Sequence, residues 1–554
     1  MIQIPVNHCL NYCILKTYVK ILFGVALILA CNICTASTYY LSSVSGDDNR
    51  SVTEAQSPNT PWKSISKLNT YMASLKPGDV VLFKRGETFY GTVSINTFGN
   101  DGSPITFGAY GTGNNPVITS LVTVNQWQSV GNGVYESTNA AFGASVNVVL
   151  INNKSQEMGR FPNSDAKNKG YLTVESHNDK SLTDNNINSG TNWKGADVVI
   201  RKMHWVIDRH PISNHSGATI SYTDAVGRYF PTDKFGYFIQ NDIRTLDKFG
   251  EWYYNPATKK ISVYFGSTPP ASSTVEVSTL DNLIFSDRPD GRNSNFTFEN
   301  LTLRGANANG ISVSYGKNYN LRNCNIEYVG NCALNVYSVS NFTVENCNIN
   351  GAQNNGIYLN EKCNNAVVRN NTIQNTMEFP GLGQNGDHKG MGMYVGGDNI
   401  MVEYNKVINT GYIGIYFAGE SITIKNNFVN NFCLLKDDGS GIYTFTGDSN
   451  TPYTNRKVTG NIVINGIGAK EGTTSSTPPA KGIYVDDNSA GIDISNNTIA
   501  ATTDQGIFIH NGRNIVMNAN TVFNNGTQVG FVHDVYASPI TNVTSNGNIL
   551  FSKT

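Results

Sequence analysis

Residues 414–431 read "GIYFAGESITIKNNFVNN", and the order of their parts decides the fold. A Gly-Ile-Tyr strand start leads through a short turn into an alternating stretch, Ile422-Thr423-Ile424-Lys425. An Asn turn and an apolar pair, Phe428-Val429, follow. Alternating apolar and polar residues mark a half-buried strand. The same order returns along the C-terminal half. Strand starts recur at Gly310, Ala333, Gly356, Gly392, Gly414, Gly441, Gly482, Gly506 and Gly530. The base period is about 22–24 residues, interrupted by three longer loops. A second register agrees. Asn300, Cys324, Cys347, Asn371, Asn405, Asn427, Asn461, Asn497, Asn520 and Asn548 each precede a short apolar pair.

One coil of this kind is too thin to bury its own apolar side chains, so it must stack on its neighbours. Stacking lines the recurrent Asn residues into a ladder of side-chain amides. Asn also tolerates the left-handed turn expected there. Cys324 and Cys347 replace Asn on two adjacent rungs, as small buried residues or as a bridge between coils.

This pattern resembles the pectate-lyase-like superfamily, whose fold is an all-β, right-handed, single-stranded parallel β-helix. The resemblance covers residues 295–554. It extends to 38–120, where "PWKSISKLN" and "LKPGDVVLFKRGETFYG" look like opening coils. Ser64 to Met72 is the expected capping helix, and Pro77-Gly78-Asp79 a turn into Val80–Phe83. Residues 121–285 break the repeat and read as a β-rich insertion or elaborated coils, with a hairpin turn at Asn255-Pro256. Residues 471–479, "EGTTSSTPP", read as an exposed loop. The expected division is therefore 1–36, 37–120, 121–285 and 286–554.

Residues 1–36 read as an export signal. Lys16 and Lys20 precede an apolar run, Ile21 to Ala30, too short to span a bilayer comfortably. The expectation is a secreted or periplasmic protein, with a lipid anchor at Cys31 as the variant reading. Without those residues the net charge is about −3, and no basic surplus points to nucleic acid. Five cysteines remain beyond residue 36, an odd number, so a disulfide scaffold is not expected. No transmembrane helix is expected, and a monomer is. Zinc, redox and nucleotide motifs are absent after residue 36.

Strand parity predicts the chemistry-bearing face. Ile415 and Phe417 should point inward and Tyr416 outward. The same parity sets Tyr358, Tyr394, Tyr416, Tyr443, Tyr484 and Phe508 in one outer row. That row is either a floor for sugar stacking or is buried by the loops at 376–391, 431–440 and 466–481. Charged residues gather beside it. Asp387, His388, Lys389, Lys436, Asp437, Asp438 and Lys481 precede the strands. Asp486, Asp487, His510, His533 and Asp534 follow them. In the superfamily the substrate groove lies on such a strand and its flanking loops.

Three readings fit these residues. The first is glycoside hydrolysis by paired carboxylates. Asp387 and Asp438 sit two coils apart, roughly 10 Å, near the inverting spacing. Asp438 with Asp486 or Asp487 lies nearer the retaining spacing. Adjacent Asp437 and Asp438 would raise the pKa of one member while Lys436 keeps the other ionised. The pair is similar to the Asp-Asp element of polygalacturonases, whose other elements are missing from matching places. The second is β-elimination on a uronic-acid polymer. Lys389, Lys436 or Lys481 would be the base, assisted by Arg513 or His388, and Asp437, Asp438, Asp486 and Asp487 would hold calcium. The third is a non-catalytic carbohydrate-binding or surface structural role. In the insertion, His204, Trp205, His210 and His215 are candidates to reach the groove, although a lone His is more often structural.

Overall fold

The computed structural model describes residues 36–552 apart from 189, 224–228, 448–452 and 536. The expected export segment, with Cys31, lies outside the described residues. From Thr38 onward the chain is a stack of parallel coils with three strand faces. The Gly-Ile-Tyr strands form one face. Met393–Gly396, Ile415–Ala418, Gly439–Thr444, Ala480–Val485 and Gln505–His510 pair in sequence there. The alternating strands form a second face, for example Thr423–Lys425 on Arg456–Thr459. The strands after the Asn turns form a third, from Thr88–Tyr90 to Ile549–Phe551. Ile415, Phe417, Ile424 and Val429 meet in the buried interior between the faces.

The Asn ladder is present. Asn405 donates from its backbone N and its Nδ2 to Oδ1 of Asn427, at 2.9 and 3.0 Å, and Asn427 treats Asn461 the same way. The ladder continues through Asn497 and Asn520 to Asn548. One detail of the expectation is corrected. The left-handed residue is the one before the rung: Asn370 (φ 55°), Tyr404 (56°), Asn426 (54°) and Asn496 (57°). The rung itself directs its amide along the stack, and the preceding residue makes the bend. Asn300 (φ 57°) is such a bend residue, and Leu301 takes the rung position beside Cys324. Cys324 and Cys347 are free, buried thiols, so no bridge joins their coils.

The capping helix is Ile65–Tyr71. Ser64 accepts a bond from Lys67 N at its start, and Ile65 and Leu68 are buried beneath it. The stack is interrupted after Val117–Thr119, and Asn282–Asp287 is already back on it. Between them lie three antiparallel sheets with interiors of their own. The hairpin at Asn255-Pro256 joins Trp252–Asn255 to Lys260–Tyr264. The segment 471–479 is not a free loop. Gly472 O accepts from Gly236 N at 2.8 Å, and Glu471 O accepts from Arg201 at 2.7 Å, so this segment is docked on the insertion. Among the described residues no helix is long and apolar enough to cross a membrane.

Candidate functional site

Register places Tyr358, Tyr394, Tyr416, Tyr443, Tyr484 and Phe508 side by side on successive coils. Their rings form a continuous column, with centroids 4.5 Å apart between Tyr394 and Tyr416 and 5.6 Å between Tyr416 and Tyr443. The open sugar floor is corrected, because Tyr394, Tyr416, Tyr443 and Tyr484 are buried. His388, from the 376–391 loop, packs on Tyr394 and Tyr416. Trp205, from the insertion, packs against the same core. The phenol groups are partnered as well. Tyr394 donates to Glu361, and Tyr443 to Asp486.

Asp387, His388 and Lys389 form the turn before Met393–Gly396. Asp387 accepts from His388 N at 2.8 Å and from the Tyr229 hydroxyl at 3.2 Å. Burial holds the His388 imidazole below its usual pKa. Lys389 reaches Gln384 at 3.3 Å. Lys436 is fully buried and donates to Lys389 O at 3.1 Å. Burial pushes its ammonium down to about 8, against the pull of Asp208 and Asp387. Enclosed in this way it has no path to a substrate proton, which removes it as a catalytic base. Asp387 precedes Met393–Gly396 and Asp438 precedes Gly439–Thr444, with the coil of Ile415–Ala418 between them.

Asp437 and Asp438 separate. Asp437 is fully buried, and its Oδ1 accepts from Arg201 Nη2 and from His204 Nδ1, each at 2.7 Å. It fastens the insertion to the coil and is not available to substrate, so its placing as a catalytic acid is corrected. Asp438 opens instead into a cleft of about 440 Å³, lined also by His204, Ser475, Thr477, Pro478, Pro479, Thr503 and Asp504. Its Oδ1 lies 2.5 Å from Lys481 Nζ, and Asp504 Oδ2 lies 3.8 Å from that same nitrogen. Asp504 is held above the usual carboxylate range, chiefly by burial and further by the charge on Asp438, with Lys481 opposing. Sequence reading missed Asp504. Its signal was position: it stands immediately before Gln505–His510, as Asp438 stands before Gly439–Thr444.

Asp486, Asp487 and His510 each bring one ligand atom to within 4.8 Å of the others. His510 lies 2.9 Å from Asp486 through Nδ1 and 2.9 Å from Asp534 through Nε2. Asn511 donates to Asp487 at 2.7 Å. Calcium takes a shell of oxygen ligands. Here an imidazole, pushed up to about 9 chiefly by its bond to Asp486, is the cation among the carboxylates. In this cluster Asp486 and Asp487 offer oxygen ligands and His510 a nitrogen. Arg513 donates to Ser538 at 2.8 Å. His533 meets the side chain of Asn511 at 3.1 Å. His210 and His215 are buried within the insertion, and only His204 lines the cleft.

The family model for a right handed beta helix region matches residues 279–397 and 394–553. A curated lacto-N-biosidase of Bifidobacterium longum subsp. longum is 42% identical over 100 residues, which is 17% of this chain and 6% of that protein. The match thus spans a small part of that relative's length. A solved structure described as a glycoside hydrolase superposes with a TM-score of 0.64 at 13% identity, covering 93% of this chain and 96% of its own. It shows the same fold over most of both chains. A GH136 lacto-N-biosidase from Eubacterium ramulus gives a TM-score of 0.39 at 13% identity, over 93% and 68% of the two chains.

Proposed function

Because this chain belongs to the right-handed parallel β-helix superfamily, we propose that it is a glycoside hydrolase whose carboxylate pair is Asp438 and Asp504. The observation that carries this reading is the single ammonium between the two acids. Lys481 holds one oxygen of each acid near a single ammonium, at 2.5 and 3.8 Å, and we take the closer, retaining arrangement of the two carboxylate geometries. The two acids also differ in environment. Asp438 is ion-paired to Lys481, the state a nucleophile needs. Asp504 has its pKa raised by burial, the state a general acid needs.

In this reading Asp438 attacks the anomeric carbon while Asp504 gives its proton to the leaving oxygen. Asp504 then takes a proton from the water that releases the sugar from Asp438. The short match to a protein named lacto-N-biosidase supports a glycosidase. The elimination reading loses Lys436, which is enclosed.

The test is a panel of neutral and uronate glycans, incubated with and without a chelator. New reducing ends, without the ultraviolet band of unsaturated uronides, are expected at equal rates in both arms. Proton NMR of the first product should show retained anomeric configuration. Unsaturated products, or silence across the panel, would remove the reading.

A further inference from the structure

We propose that His204 touches the substrate in the same cleft, its Nε2 accepting a hydrogen bond from a hydroxyl of a neutral sugar. The ligand's identity rests on the hydrolase reading; the imidazole geometry does not.

His204 comes from the insertion, yet Arg201 and Asp437 fix it at two points. Its carbonyl accepts from Arg201 Nη2 at 3.0 Å and from Asp437 N at 3.2 Å. Its ring donates through Nδ1 to Asp437 Oδ1 at 2.7 Å and meets Phe235 edge-on at 5.2 Å. An ionised carboxylate only accepts, so the proton of the neutral ring sits on Nδ1 and Nε2 carries a lone pair. The Arg201 guanidinium, which can only donate, gives a second hydrogen bond to the same oxygen at 2.7 Å. Among the described residues Nε2 has no hydrogen-bond partner.

The side chain is 27% exposed, and it lines the cleft that Asp438 and Asp504 enter. The Arg201–Asp437 pair would fasten the insertion without an imidazole. What His204 adds is an aimed acceptor in a cleft already walled by two carboxylates. Acceptors of this kind bind sugar hydroxyls. They have nothing to offer a uronate carboxylate, which carries no proton to donate and would meet like charge.

The test uses the full chain labelled with ¹⁵N-histidine, with the His204 signals assigned by their loss in His204→Gln. At neutral pH the Nδ1–H tautomer is expected. In the Asp438→Asn variant, neutral xylo-, cello- or galacto-oligosaccharides should shift the Nε2 signal, and oligogalacturonates should not. In the active protein, His204→Ala should lower kcat/KM on any glycan that is cleaved by about tenfold or more. An Nε2–H tautomer, a shift caused by the uronates instead, or unchanged kcat/KM in His204→Ala would overturn the proposal. Cleavage with unchanged kcat/KM removes it and leaves the hydrolase standing. A neutral-sugar shift without cleavage does the reverse.

Discussion

Asp437 and Asp438 adjoin in the chain and occupy opposite environments. Asp437 is fully buried 2.7 Å from Arg201, while the Asp438 side chain is 31% exposed beside Lys481. The left-handed backbone at Asp438, φ 55°, makes the bend between them. Two substitutions should therefore fail differently. Asp438→Asn should lower kcat/KM by about 10³-fold or more with little change in the urea midpoint. Asp437→Ala leaves Arg201 buried without its counter-charge and should cost about 3–5 kcal/mol in urea unfolding. Full activity in Asp438→Asn would remove it as the nucleophile.

The alkaline limb of kcat/KM belongs to Asp504, because activity needs its proton. Burial and the charge of Asp438 raise its pKa, and Lys481 is the cation that restrains it. Lys481→Met should let Asp504 rise further. The alkaline limb of the pH–rate profile should move to higher pH. Asp504→Asn should abolish the alkaline limb and lower the rate by about 10²–10⁴-fold. A Lys481→Met profile displaced to lower pH contradicts the assignment.

The fold was legible because every coil restates it. Gly414-Ile415-Tyr416 and Asn427 are weak signals singly, and nine or ten repetitions make them strong. Parity also placed Tyr416 opposite Ile415 and Phe417. It could not show that His388 and Trp205 cover the tyrosines, since those residues come from a loop and from the insertion. The site was less legible for a similar reason. Asp438 and Asp504 lie two coils apart, and Lys481 brings them together from the coil between. Asp437 looked like half of a carboxylate pair because its partner, Arg201, is 236 residues away. Apart from Asn300, a bend residue with Leu301 on its rung, the ladder was placed correctly, and its bend one residue late, because adjacent Asn residues such as Asn426 and Asn427 share the two jobs.

The Asn ladder should behave as a set of buried polar contacts, dearest in the middle. In Asn427→Ala, the N and Nδ2 of Asn405 lose their acceptor, and Val402 O loses a donor. A buried group left unpaired costs about 1–3 kcal/mol. Asn548, the half-buried last rung, leaves groups that water can reach, so Asn548→Ala should cost less. Urea unfolding of the two variants decides it, and equal losses would contradict the burial argument.

His510 should make stability depend on pH in a defined direction. It lies between Asp486 and Asp534, with Asp487 at 3.5 Å. The bond to Asp486 is the largest cause that lifts the imidazole from its usual 6.5 to about 9. Below about pH 6.5 both folded and unfolded chains hold the proton, and the network's stabilisation is complete. Between there and about pH 9 the unfolded chain has lost the proton while the folded chain keeps it, so stability falls as pH rises. Above that window the contribution is gone. Lys436 acts oppositely. Burial pushes its ammonium down to about 8, so the folded state gains stability from there toward the ordinary lysine pKa of 10.5. The wild-type curve thus mixes two opposed slopes, and the informative quantity is its difference from His510→Gln. That difference, measured by urea unfolding, should be largest near pH 6 and shrink toward pH 9.5. A difference that stays constant or grows across this range would show that His510 is not the protonated centre of the network.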